Sequence, residues 1–136
     1  GIRVPLIIAM PKGKGQSSQK IVELIDLYPT LADLCGLPRP GKIEGESLKP
    51  ALTKGKLPWT DVAYSVTEYR GTLGKSVRTS RWHYVEWGEG KSGSMLFEHP
   101  KDSRELNNLA NDPKFAGVVA EMKSLLQKMP EKMRER

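Results

Sequence analysis

The sequence predicts an α+β fold, in which a small antiparallel sheet of about four strands packs against a C-terminal helix. Between residues 61 and 98, short segments alternate apolar and polar residues and are separated by turn-forming residues, which is typical of antiparallel strands. From residue 115 to 129, apolar residues recur every three or four positions and therefore share one side of a helix. That apolar side needs a surface to cover, and one face of the sheet supplies it.

The first forty residues predict elements of a different kind, a strand and a helix that belong to a larger α/β domain missing from the chain. Residues 3–10 are almost continuously apolar, as in a strand buried on both faces. A helix is predicted over about 27–35, with Asp26 as its N-cap and Gly36 at its C-terminal end. The predicted apolar face of this helix is Leu27, Leu31 and Leu34. We therefore assign residues 1–40 to the end of a preceding domain.

The remaining residues divide into a linker and a C-terminal subdomain. Residues 41–60 contain several Pro and Gly residues and predict a linker, with one helical turn at 47–52. Residues 61–136 form the subdomain, whose strands are predicted near 62–66, 76–78, 82–87 and 95–98. In its terminal helix, Asp112 is the predicted N-cap and Pro113 the first helical residue. The charged residues 131–136 are predicted to fray.

Charge and composition argue against several function classes. Lys and Arg exceed Asp and Glu by 22 − 16 = 6, but the charges are scattered, so no basic face for nucleic acid is predicted. The one cysteine, Cys35, excludes an internal disulfide and lies in an apolar helical pattern that indicates a buried thiol. One cysteine and two histidines, His83 and His99, cannot supply the four ligands of a structural zinc site. No apolar run is long enough to span a bilayer.

No nucleophile with an oriented base is visible in the sequence, and two stretches are better candidates for contact with a ligand. The first comprises Thr67, Glu68, Tyr69 and Arg70 at the end of a strand. Arg70 could hold an anionic group through two hydrogen bonds, and Tyr69 could stack on a ring. The alternative is an exposed loop with ordinary charges.

The second stretch is 75–82, in which Arg78 alternates with two serines and shares their face of a strand. An arginine inside a strand often pairs with a carboxylate, so the predicted structural ion pair joins Arg78 and Glu86. The alternative is that Arg78 contacts a ligand. His83 is predicted to be a structural histidine within a strand, and His99 a solvated residue of a turn.

Within residues 3–8, 26–36, 44–48 and 96–110, phrases occur that by their order and spacing resemble the C-terminal end of sulfatases. Residues 3–8 resemble the strand that closes the sheet of the catalytic domain, and residues 26–36 resemble the family's Asp-x-x-Pro-Thr-Leu helix and closing glycine. Residues 44–48 resemble its Gly-x-Ser-Leu phrase. Residues 96–110 resemble its Leu-Tyr-Asp turn and Glu-x-x-Asn-Leu-Ala stretch, although Phe97 and Glu98 replace the Tyr-Asp pair. Residues 63–65 and 76–79, with Tyr84 and Trp87, look closest to the iduronate sulfatase branch.

The resemblance implies an alkaline-phosphatase-like fold, in which a large α/β domain precedes a small antiparallel sheet with a packed C-terminal helix. It implies a parent enzyme that uses calcium and a formylglycine made from the cysteine of a Cys-x-Pro-Ser-Arg motif. This chain lacks that motif, because Cys35 is followed by Gly36 and Leu37, so no catalytic or metal-binding residue is carried over. Residues 67–70 would then lie at the rim of the substrate mouth.

The favoured interpretation is a C-terminal fragment of a sulfatase that contributes structure and substrate-rim contacts, without catalysis of its own. Its expected partners are the rest of the catalytic domain and a sulfated carbohydrate, and residues 4–8 could also mediate self-association. By resemblance, the parent would be periplasmic, secreted or lysosomal. The alternative is a stand-alone carbohydrate- or anion-binding module, which would need an apolar-rimmed groove with Trp82 or Trp87 exposed. A nucleic-acid binder would need its cations on one face, and neither nucleic acid nor a membrane is an expected partner.

Overall fold

The computed structural model describes residues 4–11, 13, 15, 17–39, 41, 43–54 and 61–130. Among these residues, the helices are α1 (Leu27–Leu34), α2 (Lys49–Lys54) and α3 (Ala116–Leu126), with 3₁₀ turns at Leu24–Asp26 and Pro113–Phe115. The strands are β1 (Val62–Tyr69), β2 (Thr72–Thr79), β3 (Trp82–Trp87) and β4 (Ser94–Glu98). They form an antiparallel sheet in the order β1-β2-β3-β4, so the predicted α+β fold is confirmed. The predicted frayed end, 131–136, and part of the predicted linker, 55–60, lie outside the described residues.

The strand register assigns each side chain of the sheet to one of two faces. Tyr64 pairs with Val77, Val77 with Tyr84, and Tyr84 with Leu96, so these four side chains share a face. We call it the helix face, because α3 packs against it. The next row of paired residues points to the opposite side, which we call the open face: Ser65, Ser76, Val85 and Met95.

The hydrophobic core lies between the helix face and α3. Its buried members are Val77, Tyr84 and Leu96 from the sheet and Met122, Leu126 and Met129 from α3 and the turn after it. The Asp112 carboxylate accepts the N–H of Lys114 at 2.9 Å and Pro113 follows it, so the predicted cap and first residue begin the 3₁₀ turn that leads into α3 rather than α3 itself. The Tyr64 hydroxyl donates to the carbonyl of Leu125 at 3.1 Å and ties the sheet to the helix.

The segment between β4 and α3 protects the outer edge of the sheet. The Asn108 side-chain oxygen accepts the N–H of Leu96 at 3.0 Å, and the N–H of Leu109 donates to the carbonyl of Leu96 at 2.9 Å. The same Asn108 oxygen accepts the N–H of Ala110 at 3.0 Å. These bonds satisfy backbone groups that an edge strand would otherwise expose. They give a structural reason for the Asn-Leu-Ala phrase.

The strand predicted over residues 3–10 does not form. Residues 4–10 have no regular secondary structure, and the side chains of Val4 and Ile7 are 60% and 89% exposed. A strand needs hydrogen-bond partners on a neighbouring strand, and within the described residues the sheet begins and ends with β1 and β4. The apolar run is therefore left open to solvent in this chain, and its residue 3 lies outside the described residues.

Helix α1 forms where it is predicted, but its buried side is not the leucine face. Leu31 is 58% exposed, whereas Thr30 and Ala32 are buried. The thiol of Cys35 is exposed as well, so the prediction of a buried cysteine was wrong. The reason is non-local: residues 43–48 pack along the Thr30 side of the helix.

Polar contacts hold residues 43–48 to α1 and explain the Gly-x-Ser-Leu phrase. The bonds run from the Glu46 N–H to Asp26 (2.9 Å), from the Leu48 N–H to Thr30 (2.8 Å) and from the Ser47 hydroxyl to Asp33 (2.7 Å). Gly45 lies so close to Ile25 that a Cβ atom would overlap the Ile25 carbonyl. Asp26 is therefore not a side-chain N-cap of α1 as predicted; Glu23 and Asp26 form a capping box around the preceding 3₁₀ turn.

The residues before α1 are fastened to the sheet at β1. The Glu23 carboxylate accepts the N–H of Tyr64 at 2.7 Å, and the Asp61 carboxylate accepts the N–H of Ile21 at 2.6 Å. These contacts occupy backbone donors next to the β1 edge. The sheet and the α1 region are thus joined by hydrogen bonds as well as by the chain.

Replacing a core leucine of α3 should destabilise the fold far more than replacing a surface residue one turn away. Leu126 is 5% exposed, so Leu126→Ala should lower the free energy of unfolding by about 2–5 kcal/mol. The exposed Lys123→Ala should change it by about 0.5 kcal/mol or less. Urea unfolding followed by circular dichroism measures both changes, and equal effects would contradict the packing of α3 on the sheet.

Candidate functional site

The open face of the sheet carries the candidate functional site. Helix α3 covers the other face, whereas the side chains that point away from α3 range from the exposed Thr67 to the buried Ser76 and Phe97. The open face contains Ser65 and Thr67 of β1, Gly74 and Ser76 of β2, Val85 and Trp87 of β3, and Met95 and Phe97 of β4.

A cavity of about 440 Å³ opens on this face. Its floor is apolar and consists of Val85, Trp87, Met95 and Phe97. The hydroxyl groups that line it belong to Ser65, Thr67 and Ser76. A concave, mostly apolar surface with a few polar groups is typical of sites that bind a ligand or a protein segment.

Close backbone approach shapes the cavity at Gly74. Gly74 pairs with Trp87 across β2 and β3, and a Cβ atom on Gly74 would lie 2.8 Å from two atoms of the indole ring. The indole therefore lies flat against the strand, where only glycine leaves room for it. This arrangement presents the other side of the ring to the cavity, which Trp87 lines.

The carboxylate of Glu105 contacts an arginine and two histidines on the open face. Glu105 Oε1 lies 2.8 Å from His83 Nδ1, 3.4 Å from His99 Nε2 and 3.6 Å from Arg78 Nη1. Glu105 adopts a left-handed backbone conformation with φ of 58°, which is uncommon for a residue other than glycine. Through Glu105, the segment between β4 and α3 contacts Arg78 of β2 and His83 of β3 on the open face.

His83 is a buried neutral imidazole with one nitrogen committed to Glu105. Burial lowers the pKa of His83 below its usual value, and the hydrogen bond and charge of Glu105 oppose this only in part. Because a carboxylate accepts at Nδ1, that nitrogen carries the proton, and Nε2 is left as an acceptor. Nε2 is buried and has no hydrogen-bond partner among the described residues.

The predicted rim residues lie at the tip of the β1–β2 hairpin. Arg70 and Gly71 form a two-residue turn with φ of 51° and 76°, as a type I′ hairpin turn requires. Thr67, Glu68 and Tyr69 belong to β1 rather than to a loop. The guanidinium carbon of Arg70 lies 5.2 Å from the centre of the Tyr69 ring.

The two faces of the hairpin separate these rim residues. Thr67 and Tyr69 share the open face, and Thr67 lines the cavity, whereas Glu68 points to the opposite side. The structure therefore brings Thr67 to the candidate site, keeps Tyr69 and Arg70 exposed at its edge, and turns Glu68 away from it.

The predicted ion pair between Arg78 and Glu86 is replaced by one between Arg78 and Glu105. Arg78 pairs with His83 across the strands, and Glu86 pairs with Lys75, so Arg78 and Glu86 lie on opposite faces of the sheet. Glu86 instead accepts a hydrogen bond from the Tyr84 hydroxyl at 3.2 Å. The sequence shows which residues alternate within a strand but not the register between strands.

Sequence reasoning missed Glu105 as the centre of the site and was wrong about His99, which is buried rather than solvated. The predicted structural role of His83 agrees with its buried position and its bond to Glu105. The one signal for Glu105 in the sequence is the Glu-x-x-Asn-Leu-Ala phrase. That phrase marks the position but does not reveal the residues that Glu105 contacts.

Neither a metal site nor a catalytic cysteine is found in the part of the chain that the structure describes. No group of three or more His, Cys, Asp or Glu side chains there could hold a metal ion. Calcium therefore does not fit the described residues, and the exposed Cys35 has no Cys-x-Pro-Ser-Arg context in which a formylglycine would form. Within the same residues, every helix is too short or too polar to cross a membrane.

Residues 1–132 match the family described as N-sulphoglucosamine sulphohydrolase, C-terminal. A Delta 4,5-hexuronate-2-O-sulfatase of Bacteroides thetaiotaomicron is 37% identical over 134 residues, which are 90% of this chain and 27% of that protein. Arylsulfatase K of Danio rerio is 32% identical over 132 residues, which are 91% of this chain and 25% of that protein. The chain therefore spans about a quarter of the length of the curated relatives it matches.

Solved structures contain the same arrangement of strands and helix. A 2-O GAG sulfatase is similar with a TM-score of 0.70 and 36% identity, over 80% of this chain and 24% of that chain. A phosphonate monoester hydrolase of Agrobacterium radiobacter is similar with a TM-score of 0.63 and 26% identity, over 75% of this chain and 23% of that chain. Proteins named for two different reactions thus share this architecture, so the fold alone does not select the reaction.

The stability of the chain should fall in mild acid because of His83. The pKa of His83 is lower in the folded chain than its unfolded value near 6.5, so below about pH 6.5 the unfolded state binds a proton that the folded state does not. The free energy of unfolding should therefore fall as the pH drops from about 7.5 to 5.5. His83→Gln should show a smaller fall in urea unfolding experiments. An equal fall, or a rise that a charged His83–Glu105 pair would cause, would contradict the neutral imidazole.

Proposed function

Because the chain belongs to the C-terminal family of N-sulphoglucosamine sulphohydrolase, we propose that it is the C-terminal part of a sulfatase that hydrolyses sulfate esters of sugars. The observation that carries this proposal is the family match over residues 1–132, together with relatives about four times longer than the chain. Two relatives support a sugar substrate by name, a hexuronate-2-O-sulfatase and an N-acetylglucosamine-6-O-sulfatase.

The proposed role of this part is structural, with the reaction carried out by upstream residues. In the parent, calcium and a formylglycine would be held upstream, since the described residues do not fit them. Exposed apolar side chains support contact with an upstream domain. They include Val4, Leu6 and Ile7 before α1 and Leu24, Tyr28 and Leu31 in and around it. If the upstream part is removed, residues 4–8 would instead favour self-association.

The proposed contribution to the substrate mouth comes from the tip of the β1–β2 hairpin. Arg70 and Tyr69 lie side by side there and are both exposed. A guanidinium group can hold a carboxylate or a second sulfate through two hydrogen bonds, and a tyrosine ring can pack on a sugar ring. The pair is therefore suited to select anionic sugars over small neutral sulfate esters. A periplasmic, secreted or lysosomal location for the parent is part of the same proposal.

A second candidate function is a stand-alone carbohydrate-binding module. The observation that favours it is the cavity on the open face, where Trp87 presents one side of its indole ring. Trp82, the other candidate, packs edge-to-face on Phe115 at 5.8 Å and is less suited. Titration of the chain with sulfated disaccharides, followed by Trp fluorescence, separates the two functions. Saturable binding by the chain alone favours the module, and binding only by the parent favours the sulfatase part.

Removing the guanidinium group of Arg70 should impair the parent enzyme on anionic sugars alone. We expect Arg70→Ala in the full-length protein to weaken kcat/KM for an anionic sugar sulfate by roughly 1–3 kcal/mol, the range for a charge-assisted hydrogen bond. A small neutral aryl sulfate should be nearly unaffected, because it offers no second anion. Steady-state kinetics on the two substrates measures the difference.

The matched control is Lys128→Ala, which removes an exposed cation that follows α3, the helix on the opposite side of the sheet. It should leave both substrates unchanged. Equal losses of kcat/KM on both substrates in Arg70→Ala would point to a defect in folding or in the reaction itself. Thermal unfolding distinguishes these two causes, because only a folding defect lowers the unfolding temperature. No loss on either substrate would leave Arg70 as an ordinary solvated residue.

A further inference from the structure

We infer that the outer edge of β1, at residues 66–68, is an interface at which two copies of this chain pair strand to strand, with Thr67 of each copy on the twofold axis. The partner is a second copy, and the two β1 strands run antiparallel. The pairing uses backbone groups of Val66 and Glu68, so it does not depend on the proposed contact between Arg70 and a substrate.

The hairpin turn determines which backbone groups of β1 point away from the sheet. Tyr69 and Thr72 flank the two-residue turn and form a hydrogen-bonded pair, so every second residue back from Tyr69 bonds to β2. The residues between them face the other way. The N–H and C=O groups of Val66 and Glu68 therefore point outwards from the edge.

Only the first half of the β1 edge is occupied. The outward N–H of Tyr64 donates to the Glu23 carboxylate at 2.7 Å, which protects the start of the strand. Further along, the outward backbone groups of Val66 and Glu68 have no hydrogen-bond partner within the part of the chain that the structure describes. A free edge of this kind is a template for another strand.

The opposite edge of the sheet, at β4, is already protected. The Asn108 side chain bonds to the backbone of Ser94 at 3.2 Å and of Leu96 at 3.0 Å. The Glu98 carbonyl accepts the N–H of Asp102 at 2.8 Å. Pairing at β1 joins two four-stranded sheets into one whose outer edges are both β4. Association therefore stops at two copies, as a closed twofold interface requires.

The free backbone groups favour one register. With Thr67 on the axis, Val66 of each copy faces Glu68 of the other, and only free groups are used. An axis at Val66 would bring Glu68 against Tyr64, whose N–H Glu23 already occupies. An axis at Glu68 would place two carboxylates directly opposite each other, which destabilises a strand pair.

The side chains near the axis suit contact between two copies. Thr67 would face Thr67 of the second copy, and cross-strand threonine pairs are favourable. The half-buried Val66 would lie beside the aliphatic part of Glu68. The exposed Glu68 carboxylates of the two copies are offset by two positions, about a Debye length, so salt screens much of their repulsion.

Cysteine crosslinking tests the register, because only a residue on the twofold axis meets its own copy. Thr67→Cys and the adjacent, equally exposed control Glu68→Cys are made in the 136-residue chain and in the full-length parent, with Cys35→Ser removing the exposed native thiol. The Cα atoms of a non-hydrogen-bonded pair lie about 4.5 Å apart, within reach of a disulfide. Those of residue 68 would lie about 8 Å apart, which is too far.

The expected result is that Thr67→Cys forms a disulfide-linked dimer in glutathione buffer at least about tenfold faster than Glu68→Cys, because pairing raises the effective concentration of the two thiols. Mass spectrometry of the linked peptides measures both rates. Equal rates would overturn the inference, and so would a faster Glu68→Cys. Crosslinking of Thr67→Cys in the chain but not in the parent would also overturn it.

A second variant tests the backbone hydrogen bonds without a crosslink. Val66→Pro removes an outward N–H that a single edge strand does not need, and the proline blocks a second strand. Val66→Ala is the control, because it keeps the N–H. Sedimentation equilibrium should show dimers for the chain and for Val66→Ala but monomers for Val66→Pro, with circular dichroism checking that each is folded.

A monomeric chain, or dimers of a folded Val66→Pro, would overturn the inference. Association through residues 4–8 would give the second of these results, because it leaves the β1 edge unused. If Val66→Pro does not fold, the ratio of the two crosslinking rates decides.

Discussion

The register in which the four strands pair determines how the rest of this chain works. Cross-strand partners share a face, so the row from Tyr64 to Leu96 meets α3, and the neighbouring row from Ser65 to Met95 points away from it. A shift by one residue would place serines in the core and expose the buried tyrosine. The core, the cavity and the position of the rim residues all follow from this one constraint.

The open face is held in shape by a polar contact rather than by a second helix. Glu105 reaches back from the segment after β4 and draws Arg78, His83 and His99 together. The Glu105 carboxylate is half-buried, and these partners offset the loss of part of its hydration. At the other end of the same face, Gly74 lets the Trp87 ring lie against the sheet. The cavity lies beside the ring, and its lining includes both Trp87 and Glu105.

Local patterns predicted the four strands and the helices but not their contacts, and the strand predicted over residues 3–10 does not form. Alternation predicted the four strands and the spacing of apolar residues predicted α3, because both signals lie within a few neighbouring residues, although Asp112 caps the 3₁₀ turn before α3. The prediction that the leucine face of α1 is its buried side was wrong. Residues 43–48, which are distant in sequence, cover the Thr30 side of the helix instead. The predicted Arg78–Glu86 pair was wrong for a similar reason. Alternation within one strand does not reveal the register between strands, and that register places the two side chains on opposite faces. The role of Glu105 depends on Arg78 and His83 in two strands, as well as on His99 in its own segment, so no local pattern could indicate it.

Helix α3 closes one face of the sheet, and the cavity lies on the other face. The most direct measurement of this arrangement is the oxidation of two native methionines of the 136-residue chain by dilute hydrogen peroxide, followed by mass spectrometry of the peptides. Met122 is 1% exposed between α3 and the sheet, and the half-buried Met95 lines the cavity. Met95 should be oxidised well before Met122. Equal rates of oxidation, or faster oxidation of Met122, would contradict the register that places these two side chains on opposite sides of the sheet.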